Sequence, residues 1–131
     1  MKIAIISVRD TGGAAYCLAH AINKITPENQ AINMMAQDSY INYPSFVDMG
    51  NYNVKLCRDM VYKADVIVFL GYMKPFYEGL RLSKRRMKNK KKLLLCQGSE
   101  WRFGKRTLMK EADELLGKYQ ICLSSPGLFL P

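Results

Sequence analysis

A single histidine, His20, stands in the 131 residues. It falls off the apolar stripe of the first expected helix and reads as a surface residue. No Ser-His-Asp triad is expected, and a zinc centre would lack its usual imidazoles. The four cysteines, Cys17, Cys57, Cys96 and Cys122, form no C-x-x-C pair. Metal-ligand and disulfide spacing are therefore absent. Cys17, Cys96 and Cys122 lie in apolar segments, where a free thiol behaves as a small hydrophobe, so buried thiols are expected. No apolar run approaches the roughly 20 residues a membrane span needs. Residues 1–7 are too short for a signal-peptide core and lead into a Gly-Gly turn. A cytoplasmic protein is expected, with peripheral attachment at a membrane left open. There is no G-x-G-x-x-G and no Walker A loop, so dinucleotide or NTP binding has no support in the sequence. Neither a cofactor nor a metal is expected.

What is present suits one folded domain. The hydrophobic fraction is 49%, ordinary for a globular chain, and the length matches a single domain. The formal net charge of +9 is concentrated. Residues 81–92 hold 8 of the 20 basic residues and none of the 11 acidic ones.

Strand and helix patterns alternate along the chain. Residues 3–7 form a short apolar run consistent with a buried strand. Ala14, Leu18, Ala21, Ile22 and Ile25 recur at helical spacing, and Pro27 closes that helix. Residues 31–36 read as a second strand, 37–53 as a long polar loop, and 54–63 as a helix. Residues 65–71 (DVIVFLG) give the clearest strand. Pro75 opens a helix that runs on through the basic segment. Residues 92–97 make a fourth strand, 105–116 a helix stopped by Gly117, and 119–124 a fifth strand. The pattern predicts an α/β fold: one Rossmann-like domain with a parallel sheet of about five strands and helices on both faces.

Such sheets bind ligands at the carboxyl ends of their strands, near the point where strand order reverses. That rule nominates residues 8–13, 71–75 and 97–103. In the first stretch, Gly12 and Gly13 let a ligand approach the backbone at a helix N-terminus, where a phosphate or sugar hydroxyl would fit. The same glycines also serve a plain tight turn. In the third, Gln97, Gly98, Ser99, Glu100 and Arg102 put polar groups at the mouth of the sheet. Glu100 and Arg102 would orient a sugar hydroxyl or phosphate, or form a surface ion pair beside Trp101. The basic residues Arg81, Lys84, Arg85, Arg86, Lys88, Lys90, Lys91 and Lys92 would lie on a helix whose Phe76, Leu80 and Met87 face the sheet. They suit a solvated face, an anionic membrane surface or, in competition, nucleic acid. No aromatic residue is interleaved among them for base stacking.

Four stretches resemble retaining, family-4-like GT-B glycosyltransferases. Lys2-Ile3-Ala4-Ile5-Ile6-Ser7 with Gly12-Gly13-Ala14-Ala15 resembles their opening. Ala64-Asp65-Val66-Ile67-Val68-Phe69 resembles their "AD-V-I-H" strand. Gly98-Ser99-Glu100-Trp101-Arg102 resembles the "H-G-S-E-x-R" loop of one branch. Residues 121–128 (ICLSSPGL) resemble the stretch that closes the N-terminal domain. The resemblance implies an N-terminal, acceptor-side domain whose partner holds a nucleotide-sugar donor as substrate, with transfer to a sugar or lipid-linked acceptor in the cleft between them. It implies no bound metal, and it places Gly12, Gly13, Ser99, Glu100 and Arg102 along that cleft. Two histidines common in the family are replaced, by Gln97 and by Gly71-Tyr72. Glutamine hydrogen-bonds a sugar but does not carry a proton. No donor-binding domain follows Pro131 in this sequence. A domain cut from a longer enzyme, one subunit of a split transferase and a binding-only relative all fit.

Overall fold

The computed structural model describes residues 1–9, 13–37, 47–49, 53–96, 98–116 and 121–123; for residues 48, 98–102 and 121–123 it describes the backbone alone. The apolar runs become strands of one parallel sheet. These are β1 (Lys2–Ser7), β2 (Gln30–Met35), β3 (Val47–Asp48), β4 (Val66–Leu70), β5 (Lys91–Cys96) and β6 (Ile121–Leu123). Their order is β3-β2-β1-β4-β5-β6, and every adjacent pair is parallel. Four strands have five or six residues, and two short ones lie at the edges. The five expected strands are all present. The sixth, β3, falls inside the stretch read as a loop, because two residues are too few to carry a period.

Burial on both faces explains the unbroken apolar runs. Ile5, Ile6, Ile67 and Phe69 have no exposed surface. Helix α1 (Ala14–Ile25) covers one face, packing Ala15 and Ala19 against Ile3, Ile5, Val68 and Leu70. Asn23 ties this helix to β2, accepting from Ala31 N at 2.7 Å and donating to Ala31 O at 2.9 Å. The other face takes α2 (Val54–Lys63), α3 (Lys74–Gly79) and α5 (Gly98–Glu111), with the Phe69 ring stacked on Tyr77 and tilted against Phe76. Burying each large side chain there contributes roughly 1.5–3 kcal/mol.

Two helix expectations are corrected. The helix expected to run from Pro75 through the basic segment is broken in two. α3 ends at Gly79, Arg81 takes a left-handed φ of 52°, and α4 (Lys84–Met87) restarts behind Ser83. The Ser83 hydroxyl accepts from Arg86 N at 3.4 Å. The last long helix starts at Gly98 rather than at residue 105, and a π-helical turn (Ala112–Leu116) extends it. Leu115 O in that turn accepts from Lys92 Nζ at 2.7 Å, so a lysine from β5 caps the helix end. Cys57 and Cys96 are buried as thiols, whereas Cys17 is exposed on α1; Cys122 lies where only the backbone is described.

Candidate functional site

Strand order reverses between β1 and β4, the two central strands. Their last residues, Ser7 and Leu70, are register partners, and Leu70 pairs onward with Leu95 of β5. Three connections therefore leave the sheet side by side at its carboxyl edge. The first reaches Gly13, which has a left-handed φ of 69° and precedes α1 with no side-chain cap. The second passes Gly71, with φ 85°, to Tyr72 and α3. The third runs from Cys96, the end of β5, to Gly98, the start of α5.

Gly98, Ser99, Glu100 and Arg102 thus stand on the first turns of α5, not on a loop. The correction has a simple cause: Ser, Glu, Trp and Arg all tolerate a helix, and the motif's polarity mimics a loop. The side chains of Ser99, Glu100 and Arg102 lie outside the described ones, as do Gly12 and Gln97 altogether.

Ser7 was missed in sequence because it looks like the polar end of a strand. It is 1% exposed, and its Oγ has no hydrogen-bond partner among the described residues. A buried hydroxyl without a partner is costly, and it marks a place where a ligand can supply one.

The mouth is braced from below. Glu111, buried near the end of α5, accepts from Met73 N at 2.8 Å and Lys74 N at 3.1 Å. The carboxylate thus fills the amino end of α3. Gly104, one turn beyond Glu100 on α5, allows Tyr72 to lie against the helix: a methyl there would fall 1.9 Å from Tyr72 Oη. Tyr72 is thereby held against α5.

The basic segment is dispersed by the fold. Lys92 is 4% exposed and belongs to the core; burial pulls its ammonium below the ordinary lysine range. It is removed from the expected anion patch. Lys90 Nζ donates to Tyr62 O at 2.6 Å and Ala64 O at 2.7 Å, capping the end of α2. Lys84 pairs with Glu114 and holds that carboxyl below its usual range. Arg86 lies over the Tyr62 ring, 3.8 Å from its centroid. Arg81, Arg85, Lys88 and Lys91 are exposed and make no side-chain hydrogen bond or ion pair with a described residue. The segment leads into the amino end of β5, opposite the mouth. His20 is an exposed helix residue, stacked 5.9 Å from Tyr16.

Among the described residues no group of three His, Cys, Asp or Glu side chains could hold a metal ion, and no helix is long and apolar enough to cross a membrane.

The comparisons bear on the fold. No family model matches, and no curated protein matches significantly. Among solved structures, the chain is similar to a crystal structure of CapF with the inhibitor 3-isopropenyl-tropolone. The TM-score is 0.54 at 21% identity, over 92% of this chain and 30% of that one. The chain is a Rossmann-like α/β domain spanning under a third of that structure's length.

Proposed function

We propose that this is the acceptor-side domain of a GT-B-type glycosyltransferase, needing a donor-binding domain or subunit to transfer a sugar. The observation that carries the reading is Ser7. Its hydroxyl, without a partner among the described residues, is buried at the carboxyl end of β1, at the reversal of strand order where such sheets hold ligands. Gly13, Gly71-Tyr72 and the amino turn of α5 flank it, and three of the four motif stretches that resemble the family begin, end or lie at this edge. A saccharide hydroxyl offers both a donor and an acceptor to Ser7. The amino ends of α1 and α5 attract phosphate from a donor held across the cleft. The donor is a nucleotide sugar and the acceptor a sugar or lipid-linked sugar. No catalytic base is assigned to this half.

Amide chemical-shift mapping with a panel of saccharides tests the proposal. The expected result is a set of shifts confined to Ser7, Gly13, residues 71–74 and residues 98–104. Adding a donor-binding partner and its nucleotide sugar should then give transfer. Shifts only elsewhere, or tight dinucleotide binding at the β1–α1 connection, would overturn it.

A second reading rests on the exposed Arg81, Arg85, Lys88 and Lys91: a non-catalytic domain that binds an anionic membrane or nucleic acid. Charge reversal of Arg85 and Lys88 separates the two readings, because saccharide binding at the opposite edge should survive it.

A further inference from the structure

The amino edge of the sheet gathers charge that the sequence scatters. Lys24 is in the last turn of α1 and Lys63 in that of α2. Lys2 opens β1 and Lys91 opens β5, while Arg85 and Lys88 belong to α4 and its cap. All six are exposed. Parallel strands joined by antiparallel helices put every one of these ends on the same side. Backbone contacts make the edge continuous. Gln30 N donates to Met1 O and Asp65 N to Lys2 O, each at 2.8 Å, and Lys90 joins β5 to the end of α2. Acids also lie by these elements: Glu28 follows the end of α1, Asp65 accepts from Lys2 N at 2.7 Å, and Glu114 pairs with Lys84 of α4.

Apolar groups stand among these cations. Ile25 is 76% exposed at the end of α1. A slot of about 210 Å³ opens between β1, β2 and α2, walled by Ile3, Ile32, Met60 and Ala64, with Lys2 and Lys63 also lining it. Tyr62, by contrast, is closed to base stacking. Arg86 covers its ring, and its hydroxyl accepts from Ser83 N at 2.8 Å.

We infer that the amino edge docks on an anionic phospholipid bilayer, with phosphates on Lys24, Lys63, Arg85 and Lys88, and with Ile25 and the slot taking apolar surface. A bilayer supplies both chemistries together, as interfacial proteins require. RNA supplies the phosphates but no apolar chain for the slot. The inference is independent of the acceptor reading, since the mouth faces the other edge.

The test is flotation of the chain with phosphatidylcholine vesicles, with and without phosphatidylglycerol. Binding is expected only with the anionic lipid. The combined variant Lys24→Gln, Lys63→Gln, Arg85→Gln and Lys88→Gln should weaken it roughly 600-fold, at about fivefold per residue. Lys55→Gln, Lys74→Gln, Arg106→Gln and Lys110→Gln together remove the same charge from α2, α3 and α5 and should change it little. Ile25→Asn should weaken vesicle binding without altering the circular dichroism spectrum, and it reads the same question if the combined variant fails to fold. Equal loss in both charge sets, binding to phosphatidylcholine alone, or an unaffected Ile25→Asn would overturn the proposal. RNA binding that is lost with the edge cations while vesicles are ignored would overturn it in favour of nucleic acid.

Discussion

Glu111 Oε2 accepts a hydrogen bond from the backbone nitrogen of Met73 at 2.8 Å, across 38 residues of chain. It accepts a second from Lys74 N at 3.1 Å. One carboxylate thereby fastens the connection after β4 to the helix after β5, the two elements that shape one side of the mouth. Glu111→Ala leaves two backbone donors without their acceptor and should cost about 2–3 kcal/mol. Glu111→Gln keeps an acceptor oxygen and should cost about 1 kcal/mol. Urea unfolding of both variants checks the order, and amide shifts at Tyr72 and Met73 should move in each.

Substitution of Ser7 tells a functional polar group from a structural one. Its hydroxyl is buried without a partner among the described residues. Ser7→Ala should therefore leave stability unchanged or raise it by up to about 1 kcal/mol, because no hydrogen bond is lost. Saccharide affinity should fall by about five- to tenfold. A melting curve and a binding isotherm on the same preparation decide it. Lost stability with unchanged affinity would return Ser7 to a structural role.

Gly104 and Tyr72 form a steric pair. A methyl at Gly104 would overlap Tyr72 Oη at 1.9 Å, with the ring carbon Cζ at 3.0 Å. The ring end is movable, so Gly104→Ala should displace Tyr72 rather than unfold the domain. The helix gains roughly 1 kcal/mol in propensity, which offsets much of the displacement. Net stability should stay within about 1 kcal/mol while the Tyr72 ring resonances shift. In a Tyr72→Ala background the same substitution should simply stabilise, by about 1 kcal/mol.

Lys92 and Tyr77 meet at Leu115 O, at 2.7 and 3.5 Å, and they give opposite alkaline behaviour. Burial lowers the Lys92 ammonium below its ordinary value of 10.5. The unfolded chain then holds that proton more tightly. The Lys92 contribution is full above 10.5 and is lost as pH falls through the lowered folded value. Burial pushes the Tyr77 phenol from 10.0 up to about 12. Its contribution is full below 10 and is lost as pH rises toward 12. Unfolding free energies of wild type, Lys92→Met and Tyr77→Phe, measured from about pH 8 to about pH 11, resolve the two. Lys92→Met should flatten the rise, and Tyr77→Phe should remove the fall.

The sheet was legible because burial on both faces forces continuous apolar runs, and residues 3–7 and 65–71 have little else to be. The mouth was legible in outline, since the stretches at 8–13, 71–75 and 97–103 follow from strand ends alone. The start of α5 was not. Gly98-Ser99-Glu100-Trp101-Arg102 has loop-like polarity, and polarity does not distinguish a loop from the first turns of a helix. The break after Gly79 was equally hidden, because a run of lysine and arginine has good helix propensity and nothing local forces Arg81 to a left-handed φ.

The amino-acid order by itself determined the alternation of strand and helix, and with it a parallel α/β sheet. Those properties come from local periodicity and the chirality of crossovers, which neighbouring residues already encode. Tertiary structure alone decided which lysines are charge and which are scaffold. Lys92 and Lys90 share a segment with Lys88 and Arg85, yet the first two are spent on the carbonyls of Leu115, Tyr62 and Ala64. It also decided that Ser7 has no described partner while Glu111 has two. Such assignments depend on what lies across tens of residues of chain, and only the packed sheet and its helices bring those groups within a hydrogen bond's reach.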